Sequence, residues 1–314
     1  MISLESVTAI YHQPLLSLIF EAQSIHRQHH QVDTVQMCTL ANIKSGRCPE
    51  DCKYCPQSAR YATEVETYPL LPLAEVISQA TEAKSHGATR FCMGAAWRNA
   101  PDGEEFDRVL QMVRAVAGMG MEACVTMGML RPDQAQRLAE AGLTAYNHNL
   151  DTSEDFYSEI ITTRTYRDRL DTIKCVAEAG IQVCCGGIVG MGETDRDRIE
   201  LLHTLANLNP QPESVPINAL SPVAGTPLGD LPPIDPMVLV RMVATARILM
   251  PRAVVRLSAG RDRLSVSDQA LCFLAGANSI FSSEKLLTTA NPDWQEDAAM
   301  FALLGVRPKT EMAT

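Results

Sequence analysis

The 314-residue chain contains no apolar run that approaches the roughly 18 to 20 residues of a membrane span. No basic stretch followed by an apolar core opens it: MISLESVTAI carries neither Lys nor Arg, so a secretory leader is not expected and the reading is cytoplasmic. Positive charge is also short, with 27 Lys and Arg against 37 Asp and Glu and a formal charge of −10. That balance opposes non-specific attraction to nucleic acid or an anionic membrane, and neither is expected as a partner. Low-complexity linkers are missing, which argues against a string of separate domains. Disulfide density is missing too, because ten cysteines are too dilute for a stapled secreted scaffold. They are nevertheless more than core packing calls for, which points to metal or redox chemistry. With 46% hydrophobic residues and a mean hydropathy of −0.04, the chain can bury a large core. At roughly 150 residues per domain the length allows two domains, yet barrels of about 250 residues are commonly one.

Apolar β-branched runs alternate with amphipathic stretches along nearly the whole chain. Strands are expected at 35–43, 89–94, 121–127, 144–151, 181–189, 214–220, 254–259 and 278–282, with helices near 73–86, 104–118, 132–141, 167–179, 194–208, 236–250, 266–275 and 293–304. In the helix at 236–250, Asp235 can cap the first N–H groups, Pro236 suits the first turn, and Pro251 stops the run. Gly87, Gly120, Gly142, Gly180 and Gly276 each precede a strand and suit the left-handed residue that ends a helix. Eight β-α units with short turns predict an α/β fold, a (βα)8 TIM-type barrel with an N-terminal helical extension; a doubly wound open sheet is the alternative. Residues 1–30 form that extension, expected as a helix across the lower mouth. Residues 31–307 form the barrel, and residues 308–314 a short C-terminal tail.

Directly after the first strand comes C-x3-C-x2-C, formed by Cys48, Cys52 and Cys55. Pro49 and Pro56 make it a loop, so three thiols can converge on one point. Structural zinc takes four ligands in a closed shell, whereas a cubane iron–sulfur cluster on three cysteines keeps one iron open. Zinc with a distant fourth ligand and a thioredoxin-like reading of Cys52 and Cys55 are the competing interpretations. The motif, with an aromatic residue before its last cysteine, resembles the signature of the radical S-adenosylmethionine enzymes. The wider string SGRCPEDCKYCPQSARY is similar to the biotin synthase family within them, as are RFCMGAAW, YNHNLDTS, ITTRTY, GGIVGMGET, ESVPIN, VRLSAGR and KLLTT. The resemblance spans roughly residues 15 to 307. It implies that Cys48, Cys52 and Cys55 bind a 4Fe-4S cluster that chelates S-adenosylmethionine, a cosubstrate cleaved reductively to a 5′-deoxyadenosyl radical. It further implies sulfur insertion into dethiobiotin, a flavodoxin- or ferredoxin-type electron donor, iron–sulfur assembly machinery and a homodimer.

Cys92, Cys124 and Cys184 fall within predicted strands, where a lone cysteine is more often a small core residue than a ligand. Three on one barrel interior alter that balance. The resemblance places them with Arg256 around a 2Fe-2S cluster that donates the sulfur, although an arginine in this position otherwise reads as half of an ion pair.

Asn147, Asn149 and Asp151 share one face at period two, where burial demands polar partners. The resemblance puts Asn147 and Asn149 near the substrates and Asp151 on the ribose; capping of the following turn is the other reading of Asp151. His148 points to the opposite face, as packing or surface. By resemblance Asn218 contacts dethiobiotin, and Thr288 and Thr289 receive its carboxylate, with a helix cap as their alternative. Gly186, Ile188, Gly190 and Glu193 fit a G-x-I-x-G-x-x-E pattern found near the adenine; alone it is a weak glycine-rich turn without the Lys-Ser ending of a phosphate loop. Of the remaining cysteines, Cys38 has no assigned role and Cys175 and Cys272 read as packing. Cys185 is turned away from Cys184 by strand alternation, although the family commonly has serine or another small residue there. Ser282-Ser283-Glu284 departs from the usual glycine before Lys285, and His29-His30 reads as a solvated helix end. An electron-transfer protein and a different radical enzyme are the rival functions; the first needs no substrate pocket, and the second needs no floor set of cysteines with Arg256.

Overall fold

Eight strand positions follow one another in parallel, each joined to the next by a helical crossover, and the last pairs with the first. A computed structural model describes residues 1–310. Its strands are β1 (Thr34–Lys44), β2 (Arg90–Ala95), β3 (Glu122–Thr126), β4 (Ala145–Asn147), β5 (Gln182–Cys184), β6 (Gly187–Val189), β7 (Ser214–Ala219), β8 (Val254–Leu257) and β9 (Ser279–Phe281). Pairing runs β1-β2-β3-β4-β5-β7-β8-β9, with β6 on β7, and β9 closes on β1 through Met37 opposite Ile280. Closure decides for the TIM-type barrel against the open sheet.

The crossovers are α3 (Leu73–Ser85), α4 (Glu104–Gly118), α5 (Pro132–Glu140), α6 (Glu154–Ile160) with α7 (Tyr166–Glu178), α8 (Asp195–Asn207), α9 (Pro236–Leu249) and α10 (Val266–Leu274). Helix α9 starts as its sequence predicts, with Asp235 accepting from Met237 N at 2.9 Å and Pro236 in the first turn. The short α6 has no counterpart in the sequence reading; Ser153 caps it by accepting from Phe156 N.

Two predicted strands are shorter or divided. The run 181–189 splits into β5 and β6 because a Cβ on Gly186 would stand 1.9 Å from Pro216 O, so only glycine lets the chain pass β7 there. The run 144–151 keeps its ladder only through Asn147; beyond it Asp151 turns to a φ of 68° and bridges Gly187.

The N-terminal extension contains two helices, α1 (Leu4–Tyr11) and α2 (Leu15–His29), and they lie against α8 and α9 on the flank instead of crossing the lower mouth. The lower mouth is filled from within. Arg90, fully buried, donates to Glu122 at 2.6 Å, to both Glu213 oxygens at 3.1 Å and to Ser214 Oγ at 3.2 Å. After α11 (Trp294–Leu304), β12 (Arg307–Pro308) pairs in parallel with the start of β1, so the chain stays with the sheet as it enters the C-terminal tail. Residues 311–314 of that tail lie outside the described residues.

Of the histidine pair, His29 is exposed but His30 is not simply solvated: its Nε2 lies 2.8 Å from Arg247 Nη1 and 2.9 Å from Pro251 O. Arg247 is fully buried and donates to Ala253 O and Gly276 O, so α2 is tied to the segments entering β8 and β9. Burial, then the charge of Arg247, pushes the stacked His26 and His30 down to about 3 and about 4 from the usual 6.5. A folded form that refuses protons is fully stable above 6.5 and loses stability as the pH falls from there toward 4. Thermal melting should therefore show a transition temperature that drops across that window, and drops less steeply in His30→Gln; equal slopes would disconnect the imidazole from the effect.

Candidate active site

The C-x3-C-x2-C loop leaves the C-terminal end of β1 and folds back on itself: Cys48 N donates to Gln57 O at 2.9 Å, Ala59 N to Cys48 O at 2.7 Å, and Cys55 N to Cys52 O at 2.9 Å. The segment between α6 and α7 anchors it. Thr162 N and Thr163 N donate to Asp51 at 2.9 and 3.2 Å, and Lys53 N donates to Ile160 O. Burial raises the Asp51 carboxyl, but these bonds outweigh it and hold the group at about 2. The ITTRTY string thus positions the cysteine loop.

The three motif thiols face one cavity of roughly 310 Å³, whose floor carries Cys92, Cys124 and Cys184. The floor follows from register. Cys92 stands directly opposite Cys124, and Cys184 lies opposite Asn147, with every second residue of each strand turned inward. Arg256 on β8 points Nη1 at Cys184 Sγ from 3.7 Å. All ten cysteines are free thiols. Among the described residues no three His, Cys, Asp or Glu side chains are close enough to share a single metal ion. Both sets line the cavity, and three thiols in a set suit an iron–sulfur cluster with an open iron better than the closed four-ligand shell of structural zinc.

Burial pushes Cys52 up to about 11 and Cys55 up to about 12, while the Arg164 guanidinium, 3.9 Å from Cys52 Sγ, works in the opposite direction at Cys52. The contact with Cys124, then burial, raises Cys184 well above the usual thiol value. Loading either set with metal therefore releases protons. Arg164 Nε and Glu50 Oε1 make no hydrogen bond but are ion-paired, Arg164 Nε with Glu50 Oε2 at 3.8 Å and Glu50 Oε1 with Arg98 Nε at 3.4 Å, so the mouth set is flanked by a charge network.

Asn147, Asn149 and Asp151 all line the cavity, though by a bend after β4 and not by continued alternation. Asn147 Nδ2 donates to Asn149 Oδ1 at 3.0 Å and lies 3.4 Å from Cys184 Sγ. Asn149 uses its Oδ1 within the chain, also accepting from Gly186 N at 3.1 Å. Asp151 does not cap the next turn, since Ser153 does so for α6; its Oδ2 accepts from Tyr54 Oη at 2.9 Å and from Arg169. His148 is buried and does not turn to the opposite face: the same bend brings it to the cavity wall between Asn147 and Asn149. Asn218 lines the cavity while tying β6 to β8, donating to Gly187 O and accepting from Ala259 N.

Thr288 lies in the turn of the hairpin that joins β10 (Lys285–Leu286) to β11 (Thr289–Ala290), and Thr289 opens β11 opposite Leu286; neither is at a helix cap. The hairpin lies over the cavity mouth, with Leu287 at a φ of 57° packed where a Cβ on Gly94 would stand 2.7 Å away. In the glycine-rich string, Glu193 is structural: it accepts from Gly190 N, Met191 N and Arg198 Nε, and only Ile188 reaches the cavity. Cys175, Cys185 and Cys272 are buried away from the cavity.

Sequence reasoning misses Arg164, Arg169 and Tyr54 as cavity residues. Arg169 had a signal: it shares the buried α7 stripe of Tyr166, Ile173 and Val176, where a charge needs a partner.

Residues 42–205 match the radical SAM superfamily model, and residues 216–307 match the biotin and thiamin synthesis associated domain. The chain is 67% identical to the biotin synthase of Synechococcus sp. (strain JA-3-3Ab), covering 98% of this chain and 99% of that one. It is 58% identical to the biotin synthase of Gloeobacter violaceus, covering 98% and 97%. The crystal structure of methylornithine synthase shares the fold at a TM-score of 0.82 and 16% identity, over 98% of this chain and 94% of that one. A barrel whose mouth carries the C-x3-C-x2-C loop, matched along its whole length at this identity, belongs to the biotin synthase family of the radical S-adenosylmethionine superfamily.

Proposed function

We propose that the chain inserts sulfur into dethiobiotin to give biotin, with S-adenosylmethionine as cosubstrate. One observation carries this reading: a single cavity holds two separate sets of thiols, one on the mouth loop and one on the floor strands. When bound, a 4Fe-4S cluster with S-adenosylmethionine supplies the hydrogen-abstracting radical, and a 2Fe-2S cluster supplies the sulfur. Cys48, Cys52 and Cys55 would hold the first, and Cys92, Cys124 and Cys184 beside Arg256 the second.

The protein's remaining tasks are aim and exclusion. Leu40, Ile188, Phe281 and Leu286 give the cavity an apolar wall that suits the carbon chain of the substrate and disfavours water. Asn149, whose Nδ2 donates to no group among the described residues, and Asn147 line the cavity with both thiol sets and orient the substrate there. Asp151 faces the ribose from a position fixed by Arg169 and Tyr54. Thr288 and Thr289, carried across the mouth, receive the substrate carboxylate, and Asn218 orients the ring. A flavodoxin- or ferredoxin-type donor supplies electrons and iron–sulfur assembly machinery supplies the clusters.

Anaerobic turnover of the reconstituted protein with dethiobiotin should yield biotin and 5′-deoxyadenosine together; 5′-deoxyadenosine without biotin would favour another radical reaction. Cys52→Ala should lose S-adenosylmethionine cleavage, and undiminished 5′-deoxyadenosine would remove the mouth assignment. Cys124→Ala should lose the two-iron absorption and biotin formation while retaining the mouth cluster, which iron analysis and visible spectra distinguish. Stability gives a further test of the ribose side. Arg169 and Asp151 are both buried, so Arg169→Met should destabilise the fold by about 3–5 kcal/mol in urea unfolding, and adding Asp151→Asn should restore part of it.

A further inference from the structure

Two largely buried charges at the mouth, Arg164 and Glu50, line the cavity without any part in the assignments above. The backbone of Arg164 is pinned on both sides: Thr163 N donates to Asp51 at 3.2 Å, and Thr165 caps α7 by accepting from Asp168 N at 3.1 Å. Its side chain is 8% exposed, and Nη2 points at Cys52 Sγ from 3.9 Å. Among the described residues that thiol is the only hydrogen-bond partner of the guanidinium, since Nε makes no hydrogen bond. The Glu50 side chain, 3% exposed, stands 3.8 Å from Arg164 Nε and 3.4 Å from Arg98 Nε, and it accepts from Thr163 Oγ1. The neighbouring guanidinium, Arg169, is already matched by Asp151.

An ion pair alone does not account for this placement. At 3.8 Å and without a hydrogen bond the contact between Arg164 and Glu50 is loose, and the carboxylate is shared with Arg98. Part of the Arg164 charge therefore stays uncompensated, and it faces a sulfur. Reducing an iron–sulfur group by one electron adds a negative charge to a site that already holds three thiolates. A cation beside one of those thiolates favours the reduced state, and an N–H aimed at the sulfur acts in the same direction. A buried anion opposes both.

Resting on the reading of the mouth loop as a 4Fe-4S site, we propose that Arg164 raises the reduction potential of that site, with Glu50 as the opposing charge that limits the rise. The step this assists takes one electron from the flavodoxin- or ferredoxin-type donor; no bond forms or breaks and no proton moves.

The test is an anaerobic redox titration of the reconstituted protein without S-adenosylmethionine, read by electron paramagnetic resonance of the reduced mouth cluster. It compares the parent with Arg164→Met, Arg164→Lys and Glu50→Gln. At a potential where the parent is half reduced, Arg164→Met should show a reduced-to-oxidised ratio about tenfold lower. Arg164→Lys, which keeps the charge but not the fork, should show a smaller drop, and Glu50→Gln a ratio above that of the parent. Opposite signs for the two charges are an outcome that a packing defect does not produce. Shifts of the same sign in Arg164→Met and Glu50→Gln, or no shift in either, overturn the proposal. So does an unshifted Arg164→Met whose only change is weaker S-adenosylmethionine binding, which would make the arginine a cosubstrate ligand. If Arg164→Met assembles no cluster, Arg164→Lys below the parent with Glu50→Gln above it supports the proposal, and any other order overturns it. A parent chain without a 4Fe-4S signal would instead overturn the reading of the mouth on which the proposal rests.

Discussion

The bonds of Arg90 hold the geometry of the barrel interior together. Its guanidinium, buried at the N-terminal end of β2, reaches Glu122 on β3, Glu213 beside β7 and Ser214 on β7 itself. Burying that charge is expensive, and two carboxylates with a hydroxyl offset the cost only while all three strands keep their places. Two residues farther along β2 and β3 stand Cys92 and Cys124, turned inward by the same alternation. Whatever sets the level of the ion pairs also sets the level of the thiols above them.

The mouth is organised on a different principle. Its cysteines lie on a loop, and loops hold geometry only when their backbone groups are bonded. Here Asp51 is the peg: one carboxylate accepts from two consecutive threonine N–H groups between α6 and α7, so a segment more than a hundred positions away in the sequence positions Cys52. The same segment delivers Arg164 beside that cysteine. Anchoring and electrostatics at the mouth thus come from a single stretch.

Much of this was legible in the residues alone. Eight alternating units, glycines at helix ends and three spaced cysteines interleaved with prolines are local signals, and local signals survive reading one residue at a time. The hidden parts depend on what crosses the barrel. Nothing near Gly186 announces that Pro216 O will occupy the place of a side chain, so the run 181–189 reads as one strand. The residues Lys285 to Ala290 are too short for any periodicity to mark a hairpin. Arg169 was visible in principle as a charge on an apolar helix stripe, but its partner Asp151 lies on another element. Cys38 is an apolar-looking strand residue until closure of β9 on β1 places Ser279 and Arg256 beside it.

The hairpin over the mouth, the plugged lower end and the cavity between them leave the floor thiols one approach. Cys92, Cys124 and Cys184 are between 1% and 4% exposed, and the Arg90 ion pairs close the way from below. Any group destined for the floor must pass the cysteine loop and the hairpin that carries Leu287. Anything that enters the cavity therefore meets Cys48, Cys52 and Cys55 before Cys92, Cys124 and Cys184, so a thiol reagent added to the folded chain reaches the loop set ahead of the strand set.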